Sequence, residues 1–272
     1  MALLSFLDRE RIVASPGYSR WLVPPAALAI HLSIGQAYSF SVFNLPLSRL
    51  IGGTTSAPGD WSLSTLGWIF SIAIVFLGLS AAIWGAWLER VGPRKAMFAS
   101  ACCFGGGFLV ASLGIRTHQF WLLLLGYGVI GGIGLGLGYI SPVSTLIKWF
   151  PDRPGMATGL AIMGFGGGAM IGSPLGVTLM NMFKSSATHG VAEAFIVMGI
   201  AYFLFMMIGV FLVRVPTPDW KPAGWTPSAK AKMRAKRDVP VSEAWRTTQF
   251  RLLWAVLFLN VTAGIGVLGQ AS

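Results

Sequence analysis

The sequence predicts an all-α membrane protein, in which a six-helix bundle is followed by a polar linker and a seventh transmembrane helix. The chain is 54% hydrophobic and only 11% charged, whereas a soluble domain carries about a quarter charged residues. Seven stretches reach the length of about 20 mainly apolar residues that a membrane span needs. No stretch alternates in polarity as the strands of a membrane barrel do, and a helix satisfies its backbone groups in lipid without a partner segment.

The predicted spans follow one another with short polar connections until one long polar segment interrupts them. We place the spans near residues 21–47, 62–88, 96–115, 119–147, 156–183, 191–213 and 250–272. The resulting organisation is an amino-terminal tail over 1–20, the bundle over 21–213, a basic linker over 214–249 and the seventh helix over 250–272.

The linker contains five prolines, which disfavour one long helix. Its cationic cluster is either a solvated linker or a segment that binds anionic headgroups; the cluster comprises Lys230, Lys232, Arg234, Lys236 and Arg237.

The cationic residues predict the orientation of the spans. The net charge is +11, and with a cytoplasmic amino terminus 17 of the 20 Lys and Arg residues fall on one side, leaving Arg49, Arg116 and Lys184 on the other. This distribution satisfies the positive-inside rule. It predicts a multi-pass protein of the inner (plasma) membrane with its amino terminus in the cytoplasm, and it disfavours nucleic acid as the partner of the basic residues.

A charged hairpin separates the second and third spans. The run from Gly85 to Lys95, GAWLERVGPRK, holds four charged side chains between two apolar stretches. We therefore expect it at the membrane surface, where its cations suit the negative carboxyl end of the second helix. Glu89 does not suit that helix end, so it is expected to have a partner.

Glycines mark one face of the fourth and fifth spans. Residues four apart share a helix face, and glycine on such a face lets two helices approach closely. Tight helix packing is therefore the favoured interpretation, and direct ligand contact is the alternative. The glycines concerned are Gly128, Gly132 and Gly136 in the fourth span and Gly164, Gly168, Gly172 and Gly176 in the fifth.

Several of these segments resemble the major facilitator superfamily. The hairpin from Gly85 to Lys95 resembles the loop between helices two and three of that superfamily, although Glu89 and Pro93 replace the usual aspartate and arginine. The stretch around Pro174 is similar to the Gly-Pro motif in helix five of its antiporters, and proline can kink a helix. Residues 35–43 (GQAYSFSVF) and 148–159 (KWFPDRPGMATG) resemble the oxalate/formate antiporter family.

The resemblance implies the amino-terminal half of a twelve-helix transporter, built from 3+3 inverted repeats. The partners it implies are a small carboxylate substrate, the lipid bilayer and a missing carboxyl-terminal six-helix half, supplied by the same full-length chain or by a second chain. The implied function is transmembrane transport of small organic anions, such as oxalate, formate or related monocarboxylates, by alternating access, with exchange as the implied mode.

The resemblance also implies which residues act. Tyr38 and Gln36 match positions that line the family's central cavity, and Tyr139 is their counterpart on helix four. The implied cytoplasmic gate comprises Gly85, Glu89, Arg90, Gly92 and Arg94. On an α-helix, residues 36 and 38 lie about 200° apart, which leaves room for one of them to be structural. Each tyrosine either contacts substrate or donates to a neighbouring helix.

His31 is the one ionisable side chain that falls well inside a predicted span. An intramembrane ionisable residue is a functional candidate, and the alternative is a neutral imidazole bonded between two helices, which we favour. All nine acidic residues fall in tails, loops or span boundaries. Exchange is therefore a simpler mechanism than proton coupling through this half.

Other functions remain possible from the sequence. The first alternative is a facilitator transporter for a different solute, such as a proton-coupled monocarboxylate, a sugar or a drug. The second is a non-transporting membrane sensor or scaffold. The histidines show no metal-ligand spacing, and the glycine-rich runs lie in apolar stretches instead of following a strand. We therefore expect no enzyme activity, no metal and no cofactor.

Overall fold

The computed structural model describes residues 2–185, 188–226, 239 and 241–268, and these residues are overwhelmingly helical. The seven predicted spans are confirmed as helices that are long and apolar enough to cross a membrane. They are α1 (Arg20–Leu47), α2 (Leu63–Val91), α3 (Pro93–Arg116), α4 (Phe120–Trp149), α5 (Pro154–Phe183), α6 (Val191–Leu212) and α7 (Thr248–Leu268). Within the described ranges the only extended pairing is an isolated bridge between Val13 and Val215.

Local sequence explains where several helices begin and end. The Ser62 side chain accepts a hydrogen bond from the Thr65 amide at the start of α2, which satisfies a donor that a helix terminus leaves unpaired. Proline opens α3 and α5, where its missing N–H costs nothing. Gly92 separates α2 from α3 with a φ of +87°, a conformation that glycine adopts readily.

The charged hairpin is therefore shorter than predicted. Glu89 and Arg90 belong to the last turn of α2, and Arg94 and Lys95 belong to the first turn of α3. Only Gly92 lies between the two helices. The prediction ended the second span at residue 88 because charged side chains were excluded from it, but a helix can continue beyond the apolar core of a membrane.

Two spans depart from α-helical geometry in their middle. Residues Gly35–Phe43 of α1 form a 3₁₀-helix, and residues Leu124–Gly131 of α4 form a π-helix. A 3₁₀ segment repeats every three residues, and both departures are uncommon at this length. The predicted angular separation of Gln36 and Tyr38, which assumed an α-helix, does not apply there.

The first six helices pack around α1 and α4. α1 contacts α4, α5 and α6, whereas α4 contacts α2 and α3, and α3 packs along α6. α1 is the most buried of the described spans. Two glycine faces allow these approaches: a side chain at Gly132 would collide with Ala73 and Phe76 of α2, and one at Gly168 would collide with Leu32 and Gly35 of α1.

The chain divides into two compact units, Met1–Trp220 and Lys221–Ala271. The first unit thus extends seven residues beyond the predicted end of the bundle at Val213. Val215 exchanges backbone hydrogen bonds with the segment Ile12–Ala14 (2.9 Å each), and the Trp220 ring packs on Trp149 with centroids 4.7 Å apart. Polar composition alone assigned these residues to the linker.

The second unit contains the short helix Val241–Ala244 and α7. The Thr247 hydroxyl accepts from the Phe250 amide at the start of α7, which caps that helix. The predicted cationic cluster, Lys230, Lys232, Arg234, Lys236 and Arg237, lies outside the described residues, and so do residues 269–272 of the predicted seventh span.

The contact between α1 and α5 predicts a difference between two glycines of one helix. Gly168→Ala places a Cβ against the backbone of Leu32 and Gly35, whereas Gly166→Ala places one where no atom lies within 4 Å. We expect Gly168→Ala to lower the melting temperature of the purified protein in detergent. Gly166→Ala should leave it unchanged or raise it, because alanine stabilises a helix by about 1 kcal/mol relative to glycine. Equal melting temperatures for the two variants would contradict this packing.

Candidate functional site

The candidate binding residues lie where α1, α4 and α5 meet. Tyr38 on α1 and Tyr139 on α4 are both half-buried, and both rings contact Phe165 of α5. The ring centroids of Tyr38 and Phe165 are 4.7 Å apart at an interplanar angle of 78°, and those of Tyr139 and Phe165 are 5.5 Å apart at 90°. One phenylalanine therefore connects the two tyrosines.

The hydroxyls of Tyr38 and Tyr139 differ from those of the other tyrosines. Tyr18 donates to the Leu212 carbonyl and Tyr127 donates to Gln36, and the Tyr202 hydroxyl is buried without a partner. Among the described residues, neither the Tyr38 hydroxyl nor the Tyr139 hydroxyl is hydrogen-bonded or fully buried. These two groups are free to donate to a ligand.

Gln36 lies apart from this pair. Its side chain is fully buried, and its Oε1 accepts a hydrogen bond of 3.1 Å from the Tyr127 hydroxyl. Its Nε2 has no partner among the described residues. Gln36 and Ser39 both contact Gly172 of α5, as expected for residues three apart in a 3₁₀-helix. In this conformation Gln36 is closed off from any cavity, so a structural role is favoured for it over substrate contact.

Tyr127 was missed by the sequence reasoning. It is 2% exposed and sits in the π-helical part of α4, so its bond to Gln36 joins the two irregular segments of the bundle. Its position in an apolar, glycine-rich run gives no sequence signal that separates it from an ordinary core tyrosine.

His31 of α1 lies against the backbone of α4. It is fully buried, and its Nε2 lies 3.2 Å from the backbone carbonyl of Tyr139. Since a carbonyl only accepts, Nε2 carries the hydrogen, and the Nδ1 of a neutral imidazole is then an acceptor. That Nδ1 has no partner among the described residues. His31 thus bonds α1 to α4 at the backbone of Tyr139.

The predicted packing glycines contact two different neighbours. Gly128, Gly132 and Gly136 face α2 at Ile72, Phe76 and Ser80. The glycines of α5 face α1: an added Cβ at Gly164 would meet His31, one at Gly172 would meet Gln36, and one at Gly176 would meet Phe43. Pro174 is exposed within a continuous α5.

The predicted gate residues lie at the end of the bundle where α1 begins, which we call the basic end. Glu89 is exposed and forms an ion pair of 3.0 Å with Lys148, and its Oε1 accepts from Ser144 at 3.1 Å. Both partners belong to α4. The partners expected for Glu89 are therefore a lysine and a serine of α4. An exposed pair of this kind contributes about 0–1 kcal/mol.

Arg94 has a different role from the one predicted. It is 4% exposed, and its guanidinium donates to backbone carbonyls at the carboxyl end of α6 and in the amino-terminal segment. The distances are 2.7 Å to Phe6, 2.9 Å to Val213 and 3.4 Å to Phe211. The prediction assigned its charge to the end of α2, but the carbonyls it contacts are those of Phe6 and of the carboxyl end of α6.

The amino-terminal segment, residues 2–14, is consequently part of the bundle. The Phe6 ring stacks on Phe211 with centroids 5.3 Å apart, and Ile12 is fully buried. Arg9 donates to the Arg90 carbonyl, and Asp8 pairs with Lys95 at 3.2 Å. The segment thus ties the turn between α2 and α3 to the end of α6. A Cβ added at Gly85 would meet no atom within 4 Å, so no close approach of another segment requires glycine at that position.

A third ion pair lies at the basic end. Arg20 donates to both oxygens of Asp152 at 2.7 and 2.9 Å, which joins the start of α1 to the connection between α4 and α5. These hydrogen bonds lower the pKa of the Asp152 carboxyl. The paired geometry is the strong form of an arginine–carboxylate contact.

Arg94 and Arg90 give a matched test of this end. Arg94→Met leaves buried carbonyls with fewer donors and should lower the free energy of unfolding by about 1–3 kcal/mol. Arg90→Met removes only an exposed contact within its own helix and should have little effect. The measurements are thermal unfolding in detergent and tryptic cleavage after Arg9 and Arg11, which should accelerate only in Arg94→Met. Equal protection of the segment in both variants would show that Arg94 does not hold it.

Comparisons with known proteins agree with this architecture. A family model described as the Major Facilitator Superfamily matches residues 17–270. The chain is 26% identical to an Escherichia coli K12 protein named uncharacterized MFS-type transporter YhjX, over 93% of this chain and 57% of the relative. It is 25% identical to the oxalate:formate antiporter of Oxalobacter formigenes, over 88% of this chain and 52% of the relative.

A third relative is similar over a shorter stretch. The chain is 30% identical to the monocarboxylate transporter 1 of Mus musculus, over 49% of this chain and 26% of that protein. The chain spans about half the length of the Escherichia coli and Oxalobacter formigenes relatives, 57% and 52%.

Proposed function

The chain belongs to the Major Facilitator Superfamily, and on this basis we propose that it forms the amino-terminal half of a transporter for small organic anions. The substrates would be oxalate, formate or related monocarboxylates. Transport would proceed by alternating access, in which two halves move about a central site near the midplane of the membrane. We further propose that the transporter exchanges one anion for another.

The free hydroxyls of Tyr38 and Tyr139 support this proposal most directly. They come from α1 and α4, which occupy equivalent places in the two inverted repeats. A carboxylate accepts hydrogen bonds and does not donate them, so two phenolic donors on one aromatic cluster suit it. The printed names of two relatives, an oxalate:formate antiporter and a monocarboxylate transporter, favour the same substrate class.

The site in this half is uncharged, so the substrate's charge has to be neutralised elsewhere. The described Lys and Arg side chains lie at the ends of α1–α6 or outside them. A carboxylate at Tyr38 and Tyr139 would therefore need a cation from the remainder of the full-length protein. Hydroxyl donors from this half and a cation from the remainder agree with a central site shared between two halves.

Exchange is favoured over proton coupling by the position of the acidic side chains. Those in the described bundle lie at helix ends or in connections, among them Asp60, Glu89, Asp152 and Glu193. No described carboxylate is available inside the bundle to carry a proton. The buried His31, with its unpartnered Nδ1, is the observation that favours the second candidate, a proton-coupled monocarboxylate transporter.

The proposed location is the inner (plasma) membrane, with the basic end in the cytoplasm. That end gathers Arg9, Arg20, Arg94, Lys148 and Arg214, whereas the opposite end holds Arg49, Arg116 and Lys184. The asymmetry satisfies the positive-inside rule.

Removing either hydroxyl tests the proposed site. In the full-length protein reconstituted in liposomes, Tyr38→Phe and Tyr139→Phe should each weaken the apparent affinity for a carboxylate in counterflow by about tenfold or more. The reason is that a hydrogen bond to a charged group contributes about 1.5–3 kcal/mol.

Tyr202→Phe is the matched control, because it removes the same atom from a hydroxyl that is buried and unpartnered. Its counterflow should equal that of the unmodified protein. Unchanged affinity in both Tyr38→Phe and Tyr139→Phe would remove this site from the transport mechanism. A loss in Tyr202→Phe of the same size would show that the effect is not specific to the site.

A further inference from the structure

Phe165 of α5 contacts the ring of each proposed binding tyrosine. It is 4% exposed, so its own ring offers little surface to a ligand. Both contacts are near-perpendicular, with interplanar angles of 78° to Tyr38 and 90° to Tyr139. Such edge-to-face pairs are a preferred geometry of aromatic rings and restrain both partners.

We propose that Phe165 is a positioning residue, which holds the hydroxyls of Tyr38 and Tyr139 in one carboxylate site and thereby sets the size of anion that the site accepts. This inference rests on the proposed function. It assigns to α5 a part in the site that neither the sequence pattern nor the glycine face of that helix indicates.

The backbone of Phe165 lies at a close approach of α5 to α1. A Cβ at Gly35 would collide with the carbonyl group of Phe165, and one at Gly168 would collide with Leu32 and Gly35. Gly35 and Tyr38 are three residues apart in a 3₁₀ segment, where side chains at that spacing eclipse one another. The face of α1 that admits the Phe165 backbone therefore also presents Tyr38 to the Phe165 ring.

The second contact extends this restraint to α4. Tyr139 is held on its backbone side by His31, whose Nε2 donates to the Tyr139 carbonyl, and on its ring side by Phe165. His31 in turn lies against Gly164, the residue before Phe165, where an added Cβ would come within 2.8 Å of the His31 Cβ. The two tyrosines thus share neighbours on α5, and a shift of α5 would displace both hydroxyls together.

A double-mutant cycle tests the positioning role. Phe165→Leu should raise the KM for counterflow of a small carboxylate about tenfold. Adding Tyr38→Phe to this variant should raise the KM by less than about threefold more, because the effects of residues that act through one another are not additive. Phe165→Met, which keeps more of the volume, should show the same coupling in milder form.

Phe104→Leu is the control, since Phe104 is 1% exposed and contacts Phe108 and Tyr202 instead of the two site tyrosines. In the double variant of Phe104→Leu and Tyr38→Phe, the two separate changes in KM should multiply. In a series from formate to succinate, only the Phe165 variants should shift preference toward the larger anions. Independent, multiplicative effects of Phe165→Leu and Tyr38→Phe, with unchanged size preference, would overturn the proposal.

Fluorine NMR separates this proposal from the proposed function. With 3-fluorotyrosine at position 38 or 139 of the full-length protein without substrate, Phe165→Leu should shift both resonances and Phe104→Leu should shift neither. If Tyr38→Phe alone left transport intact while the resonances responded to Phe165→Leu, the positioning would stand and the binding role of Tyr38 would fail. If neither resonance shifted in the Phe165→Leu variant, the positioning role itself would be overturned.

Discussion

The close approach of α5 to α1 is the constraint on which the rest of the bundle depends. It exists because Gly35 on α1 and Gly168 on α5 let the two backbones touch, while Gly164 and Gly172 of α5 leave room for the side chains of His31 and Gln36. In lipid, helix association depends on packing and hydrogen bonds, since lipid is as apolar as the side chains. This contact therefore stabilises the bundle and fixes the position of every group on the facing surfaces.

The local geometry of α1 determines which of its side chains reach the candidate site. Because Gly35–Phe43 is a 3₁₀-helix, its side chains fall into rows of every third residue. One row contains Gly35 and Tyr38 and faces Phe165, and another contains Gln36 and Ser39 and faces Gly172. Tyr38 remains half-exposed with a free hydroxyl, whereas Gln36 is closed in by Tyr127.

At the basic end, Arg94 and the amino-terminal segment join the turn between α2 and α3 to the end of α6.

The sequence allowed the spans, their number and their glycine faces to be predicted, because these follow from apolar length and a spacing of four. Tyr38 and Tyr139 could be singled out by the resemblance to the oxalate/formate antiporter family, and His31 because an ionisable group is rare in a span. The partners of Arg94 could not, since they are backbone carbonyls 88 to 119 positions away, and any residue type supplies a carbonyl. Phe165 could not be distinguished from an ordinary apolar residue, and the 3₁₀ and π segments have no simple compositional signal.

The most direct test of the account asks whether Tyr38 and Tyr139 bind the same anion. The full-length protein, carrying 3-fluorotyrosine at one of these positions, would be titrated with small mono- and dicarboxylates, with position 202 as the reference. For a transported carboxylate, the account predicts that the resonances at 38 and 139 shift and saturate with one dissociation constant, while that at 202 stays fixed. Resonances at 38 and 139 that are unmoved by a transported carboxylate, or that saturate at different concentrations, would contradict a shared site.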